Sequence, residues 1–192
     1  MLLVIAALNT STSSQLADIL EAYDFAGITR IVDVGGGQGA LLRGILERYL
    51  GARGVLCEMP SVAAEARDLR GSAVEARCEF AGGDMFQSVP LGGQVYILKR
   101  IIHDWSDAEA IQILRNCRQA ISDIGRIILV ERIIGPSNQP DPAKWSDLTM
   151  LVMLTGRERS EPEYRGLYEA AGFKLTRVIP AGEFSIIEGA PV

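Results

Sequence analysis

Ile31-Val-Asp-Val-Gly-Gly-Gly-Gln-Gly-Ala-Leu-Leu42 sets the fold of everything around it. An apolar, β-branched run leads into a glycine cluster, and an apolar helical pattern follows at once. That order predicts a buried strand, a tight turn and a helix. Gly35, Gly37 and Gly39 carry no Cβ, so the turn can take positive φ and backbone can approach a ligand closely. The helix that follows aims its unpaired N–H groups at the same place. Taken alone, the stretch indicates a nucleotide-like cofactor at a strand-to-helix turn.

Working outward, polar residues Asn9 to Ser14 read as a connector, and Leu16, Ile19, Leu20 and Tyr23 recur at helical spacing before a stop at Asp24-Phe-Ala-Gly27. Downstream of the strand at 30–35, the spacing predicts a helix over 38–50, then strands Gly54–Glu58, Cys78–Ala81, Gln94–Lys99 and Arg126–Glu131. Helices are predicted over 61–70 and from a cap at Ser106 or Asp107 to Ser122. Gly135 to Ala143, with Pro136, Pro140 and Pro142, reads as a surface loop. Asp147 to Leu154 and Glu161 to Ala171 read as helices, the second stopped by Gly172. Phe173–Ile179 and Glu183–Glu188 close the chain as strands. The alternation predicts an α/β fold: a doubly wound, mostly parallel seven-stranded sheet with helices on both faces. The turn Pro180-Ala-Gly182 is too short for a crossover, so the last strand is expected to be antiparallel.

The 192 residues suit a single domain, 1–192, with 1–27 as a helical lead-in. With 48% apolar and 22% charged residues, and a net charge of −5 spread along the chain, neither nucleic acid nor an anionic membrane is an expected partner. Cys57, Cys78 and Cys117 lack metal-ligand spacing; no metal is expected, and reduced, mostly buried thiols fit a cytoplasmic protein. Met1–Leu8 is apolar but lacks a basic leader and a clear cleavage site, and is too short to span a bilayer.

Ligands of open parallel sheets bind beyond the carboxyl ends of the strands. Those ends carry Asp33 and Gly35, Glu58, Lys99 to His103, and Glu131. Glu58 follows the glycines by about 20 residues, where an acid can accept both hydroxyls of a ribose. A dinucleotide enzyme would share that feature, but the spacing here is G-G-G-x-G rather than G-x-G-x-x-G. Asp84 and Met85, in Gly82-Gly-Asp-Met-Phe86, could read an adenine edge, or Asp84 could simply close an Asx turn. His103, the one histidine of the chain, is either a structural residue or a general base flanked by Asp104. Met150, Met153 and Leu154 could line an aromatic acceptor or belong to the core. Trp105 reads as packing, and Arg157 and Arg159 as a solvated or ion-paired approach to a helix.

Five ordered motifs carry a family resemblance: V-D-V-G-G-G-x-G, G-D-M-F, L-K-x-I-x-H-D-W-S-D, Asp147-Leu-Thr-Met-Leu151 with Gly156-Arg-Glu-Arg-Ser160, and Ala170-Ala-Gly-Phe173. With Leu20–Gly27 before them, they resemble the S-adenosylmethionine-dependent small-molecule O-methyltransferases of the caffeic acid, acetylserotonin and bacterial polyketide-tailoring type. The resemblance runs from about residue 9 to the end and implies a Rossmann-like class I methyltransferase fold, with S-adenosyl-L-methionine as donor and S-adenosyl-L-homocysteine as product.

It also implies roles. Gly35, Gly37 and Gly39 would face the methionyl part, Glu58 the ribose, and Asp84 and Met85 the adenine, with Lys99 close by. Asp33 belongs to the same cofactor set. His103 would be the base, Glu131 and Glu158 the acids orienting it, and Asp104, Met150 and Leu154 acceptor-side residues. Position 58 is usually Asp in the family. The family's helical N-terminal dimerisation domain is expected to be absent from this chain, with Met1–Leu8 as a stub of its connecting helix. The implied partners are a small aromatic acceptor and either a homodimer mate or a separate chain like that N-terminal domain.

The expected reaction is methylation of a phenolic hydroxyl, with neutral His103 taking the proton. A cofactor-binding remnant, half of a split enzyme, and a relative using the fold for decarboxylation or hydroxylation are the competing readings.

Overall fold

In the central strands, side chains alternate between two apolar layers, which explains why the runs at 95–98 and 127–130 are apolar throughout rather than at every second residue, and why 31–34 is interrupted only by Asp33. The computed structural model describes residues 12–135, 138, 143–144, 147 and 156–192. β1 (Arg30–Val34), β2 (Arg53–Glu58), β3 (Cys78–Gly82), β4 (Val95–Lys99), β5 (Arg126–Glu131), β6 (Phe173–Ala181) and β7 (Phe184–Pro191) form one sheet in the order β3-β2-β1-β4-β5-β7-β6.

Val32, Val34, Tyr96, Leu98, Ile127 and Leu129 join one core cluster with Ile113, Leu114 and Cys117 of α4 (Asp107–Ala120) and Tyr164, Leu167 and Tyr168 of α5 (Glu161–Ala170). Ile31, Val95, Ile97, Ile128 and Val130 join the other. It also holds Ile19 of α1 (Thr12–Ala22) and Leu41, Leu42, Ile45 and Leu46 of α2 (Ala40–Arg48). A sheet covered on both faces requires such continuous apolar strands.

β1 to β5 pair in parallel. β7 runs antiparallel to both β5 and β6, because Gly182 and Glu183 alone join it to β6 and a two-residue link permits only a hairpin. The order reverses between β1 and β4, the point at whose carboxyl side open α/β sheets bind their ligands.

Most elements lie where the sequence places them. One helix is shorter than expected: α3 spans Pro60–Glu65 rather than 61–70. Its continuation is diverted because Gln38, in the glycine turn, accepts from Arg67 N through its side chain at 3.0 Å and from Asp68 N through its carbonyl at 3.2 Å. The proline-rich loop and most of the helix expected at Asp147–Leu154 lie outside the described residues, as does Met1–Leu8.

α4 starts with a capping box, in which Ser106 Oγ accepts from Glu109 N and the Glu109 carboxylate accepts from Ser106 N. Ser106→Ala is expected to cost about 1 kcal/mol, read as a melting temperature lower by roughly 2–4 °C.

Candidate active site

The carboxyl ends of β1 and β2 form one half of the site. Gly35 and Gly37 take φ of 70° and 58°, a region that admits glycine without strain. A Cβ on Gly37 would meet nothing within 4 Å, so that backbone faces open space. Glu58, at the end of β2, brings its carboxylate to this turn, accepting from Gly37 N at 3.3 Å and from Met59 N at 2.5 Å. Asp33 lies beneath the turn, 1% exposed, and neither carboxylate oxygen has a hydrogen-bond partner. Burial drives its pKa up to about 7, against the pull of Lys99.

Asp84 is exposed and closes an Asx turn, accepting from Phe86 N at 2.9 Å. Met85 is held through its carbonyl by Asn116 Nδ2 of α4 at 2.8 Å, and Phe86 packs edge-on against Trp105 at 4.7 Å. Lys99, half-buried at the end of β4, has its pKa lowered, first by burial and then by neighbouring Arg100.

β4 runs on into a one-turn 3-10 helix, Ile102–Asp104, which carries His103. The two halves touch: a Cβ on Gly35 would fall 2.4 Å from Ile101 Cδ1. His103 is 3% exposed, and its Nδ1 lies 3.5 Å from Glu131 Oε2 and 3.4 Å from Glu158 Oε1, both carboxylates buried. Nε2 is 3.1 Å from Asp104 Oδ1. Glu131 also accepts from Ile101 N and Ile102 N, and the backbone of Glu158 is pinned by Asp147 Oδ1 at 2.9 Å.

Burial alone would push the His103 pKa down. The Glu131 charge and the hydrogen bonds of Asp104 and Glu158 outweigh it and hold the imidazole at about 10. The pKa of Glu131 is itself raised, chiefly by burial. A pKa raised this far favours the protonated imidazole, where the sequence reading expects a neutral one. One nitrogen and two carboxylate oxygens within 4.8 Å of one another also have the spacing of a metal ligand set.

His103, Glu131 and Glu158 are thus brought together by three separate segments, with Asp104 alongside; Asp33, the turn glycines and Glu58 gather at the neighbouring strand ends. Met150, Met153 and Leu154 lie outside the described residues. Four contributors went unrecognised in the sequence: Gln38, Asn116, Gly156 and Arg159. Gly156 packs so closely that a Cβ there would fall 1.9 Å from the His103 carbonyl oxygen. Arg159, expected to be solvated or ion-paired, is ion-paired to Asp107 but wholly buried.

Known proteins share this arrangement of elements. The O-methyltransferase domain family matches residues 1–174. Phenazine O-methyltransferase PhzM of Lysobacter antibioticus is 43% identical over 176 residues, which are 91% of this chain and 52% of the relative. Mitomycin biosynthesis 6-O-methyltransferase of Streptomyces lavendulae is 36% identical over 92% of this chain and 50% of its own length. The solved structure of CalO1, a methyltransferase of calicheamicin biosynthesis in its SAH-bound form, aligns with a TM-score of 0.90 at 33% identity, covering 96% of this chain and 55% of that one. The chain spans about half the length of the curated relatives it matches. With a class I methyltransferase sheet order and a match across most of its length, the chain belongs to the O-methyltransferase domain family.

Proposed function

We propose that this domain transfers the methyl group of S-adenosylmethionine to a phenolic hydroxyl of a small aromatic or polyketide-like molecule, with His103 as the base. The observation that carries this reading is a buried imidazole whose Nδ1 faces two buried carboxylates, on a segment whose Ile101 packs against the glycine turn. The turn residues fit the cofactor. Gly37 leaves space where a Cβ would stand, Glu58 offers a carboxylate for ribose hydroxyls, and Asp33 supplies buried acceptor oxygens without partners. Asp84 and Met85 serve the adenine side, Lys99 stands nearby, and Asp104 faces the acceptor. When bound, the cofactor supplies a methyl group already activated by its sulfonium.

The protein's own work is alignment and proton removal. A phenol has a pKa of about 10, close to that of the imidazole in this setting, so proton transfer between them is nearly balanced. Glu131 and Glu158, facing Nδ1, stabilise the imidazolium that results.

At pH 7, a base with a pKa of about 10 is deprotonated in roughly one molecule in a thousand. Methyl transfer is therefore expected to rise about tenfold per pH unit above 7 and to level off near 10. Glu158→Gln removes a negative charge and should move the plateau to lower pH, as read from pH–rate profiles of both proteins. The shift also links stability to pH. A folded pKa above the unfolded value of about 6.5 stabilises fully below that pH, and the contribution is lost as pH rises through 10.

The direct test of function is incubation with S-adenosylmethionine and a panel of phenols, with mass detection of methyl ethers. Methylated phenol is the expected product; a folded, S-adenosylhomocysteine-binding protein inactive on the whole panel would count against the reading. For assembly, the proposal is a homodimer or a pairing with a separate chain resembling the family's N-terminal domain, and mass in solution distinguishes them. Among the described residues no helix is long and apolar enough to cross a membrane.

A further inference from the structure

A single 3-10 turn has poor hydrogen-bond geometry, and the one that carries His103 has no side-chain cap. Its position must be set from outside. On the amide side, Glu131 Oε1 accepts from Ile101 N at 3.0 Å and Ile102 N at 2.8 Å. On the carbonyl side stands Arg159, wholly buried. Its Nη1 donates to Ile102 O at 2.8 Å and its Nη2 to Trp105 O at 2.7 Å, carbonyls that bracket His103 in sequence. Nε donates to Asp107 Oδ1 at 2.9 Å. The backbone of Arg159 bridges in parallel to Ile133, just past β5.

Burying a guanidinium is costly unless its donors are satisfied. Here its planar fork is used to grip one short loop, which a lysine could not match. The close approach of Gly156 to the His103 carbonyl presses the same segment onto the same turn.

Building on the reading of His103 as the base, we infer that Arg159 is a positioning residue: it holds the Ile102 and Trp105 carbonyls so that the imidazole keeps Nδ1 facing Glu131 and Glu158. Glu131 and the Arg159 fork grip the turn from its amide and carbonyl sides. Asp107 orients the fork from the surface, with a side chain 51% exposed.

Because His103 is the one histidine in the chain, its imidazole resonances are assigned without ambiguity. Glu131, Glu158 and Asp104 face that ring, so its titration reports whether it keeps its place. In Arg159→Lys the His103 midpoint is expected to fall by at least about one pH unit, a tenfold loss of proton affinity. S-adenosylhomocysteine affinity by calorimetry should stay within about threefold. A folded Arg159→Lys protein whose His103 resonances and midpoint match the parent would overturn the inference. Loss of both properties together would do so as well, by showing a general structural role.

If Arg159→Lys does not fold, Asp107→Asn decides the matter, since it frees the fork at its exposed end. A smaller fall of the midpoint is expected, and an unchanged one refutes the proposal. Should His103→Ala keep its methyl-transfer rate, the assignment of the base fails on its own, and the resonances still report on Arg159.

Discussion

His103→Ala is expected to lower methyl transfer by about a thousandfold, within the range of roughly 10²–10⁴ typical of a positioned general base. S-adenosylhomocysteine affinity should remain within a few-fold, because the charged groups His103 faces are Asp104, Glu131 and Glu158 rather than Glu58 of the glycine turn. The substitution leaves two buried carboxylates without the imidazole nitrogen they face, and unpairing buried charge typically costs about 3–5 kcal/mol. His103→Gln, which keeps a donor in the space, is the companion variant, and melting curves show whether either protein remains folded. A folded variant with most of its turnover removes His103 from the mechanism. Loss of turnover and cofactor affinity together assigns it a structural role.

Glu58→Ala is the second large effect. The carboxylate supports the turn through Gly37 N and Met59 N, and in the proposed complex it also accepts from two ribose hydroxyls. Hydrogen bonds to a charged group contribute about 1.5–3 kcal/mol each, so losing two weakens binding by roughly 10²–10⁴-fold. Calorimetric titration with S-adenosylhomocysteine should then show no heat at concentrations that saturate the parent. Glu58→Asp, the usual family residue, should recover most of the affinity. Parent-like binding by the alanine variant would place the ribose elsewhere.

The two sites differ in how far they could be read from the chain alone. The glycine turn is local: Val34, Gly35, Gly37 and Gly39 are neighbours in sequence, and Glu58 follows at the end of the next strand. Local backbone requirements are what a sequence displays most directly. The base is not local. Asp104 adjoins His103, but Glu131 arrives from β5 and Glu158 from the segment before α5. Their roles came from resemblance rather than from any periodicity. Their consequence, a raised His103 pKa, depends on distances of 3.4 and 3.5 Å, which no spacing encodes. The diversion of the chain at Ala66 by Gln38 is a similar case, in which a tertiary hydrogen bond overrides a helical pattern.

By itself the sequence determined the doubly wound sheet, the antiparallel hairpin at its end and the place of the glycine turn. Apolar runs, turn residues and short connections act within a few residues of one another. Only the tertiary structure decided the charges that raise the His103 pKa, the burial of Arg159 and the grip on the Ile102–Asp104 turn. Each is set by charges and carbonyls from segments far apart in the chain, whose interaction depends on separation in space and on exclusion of water.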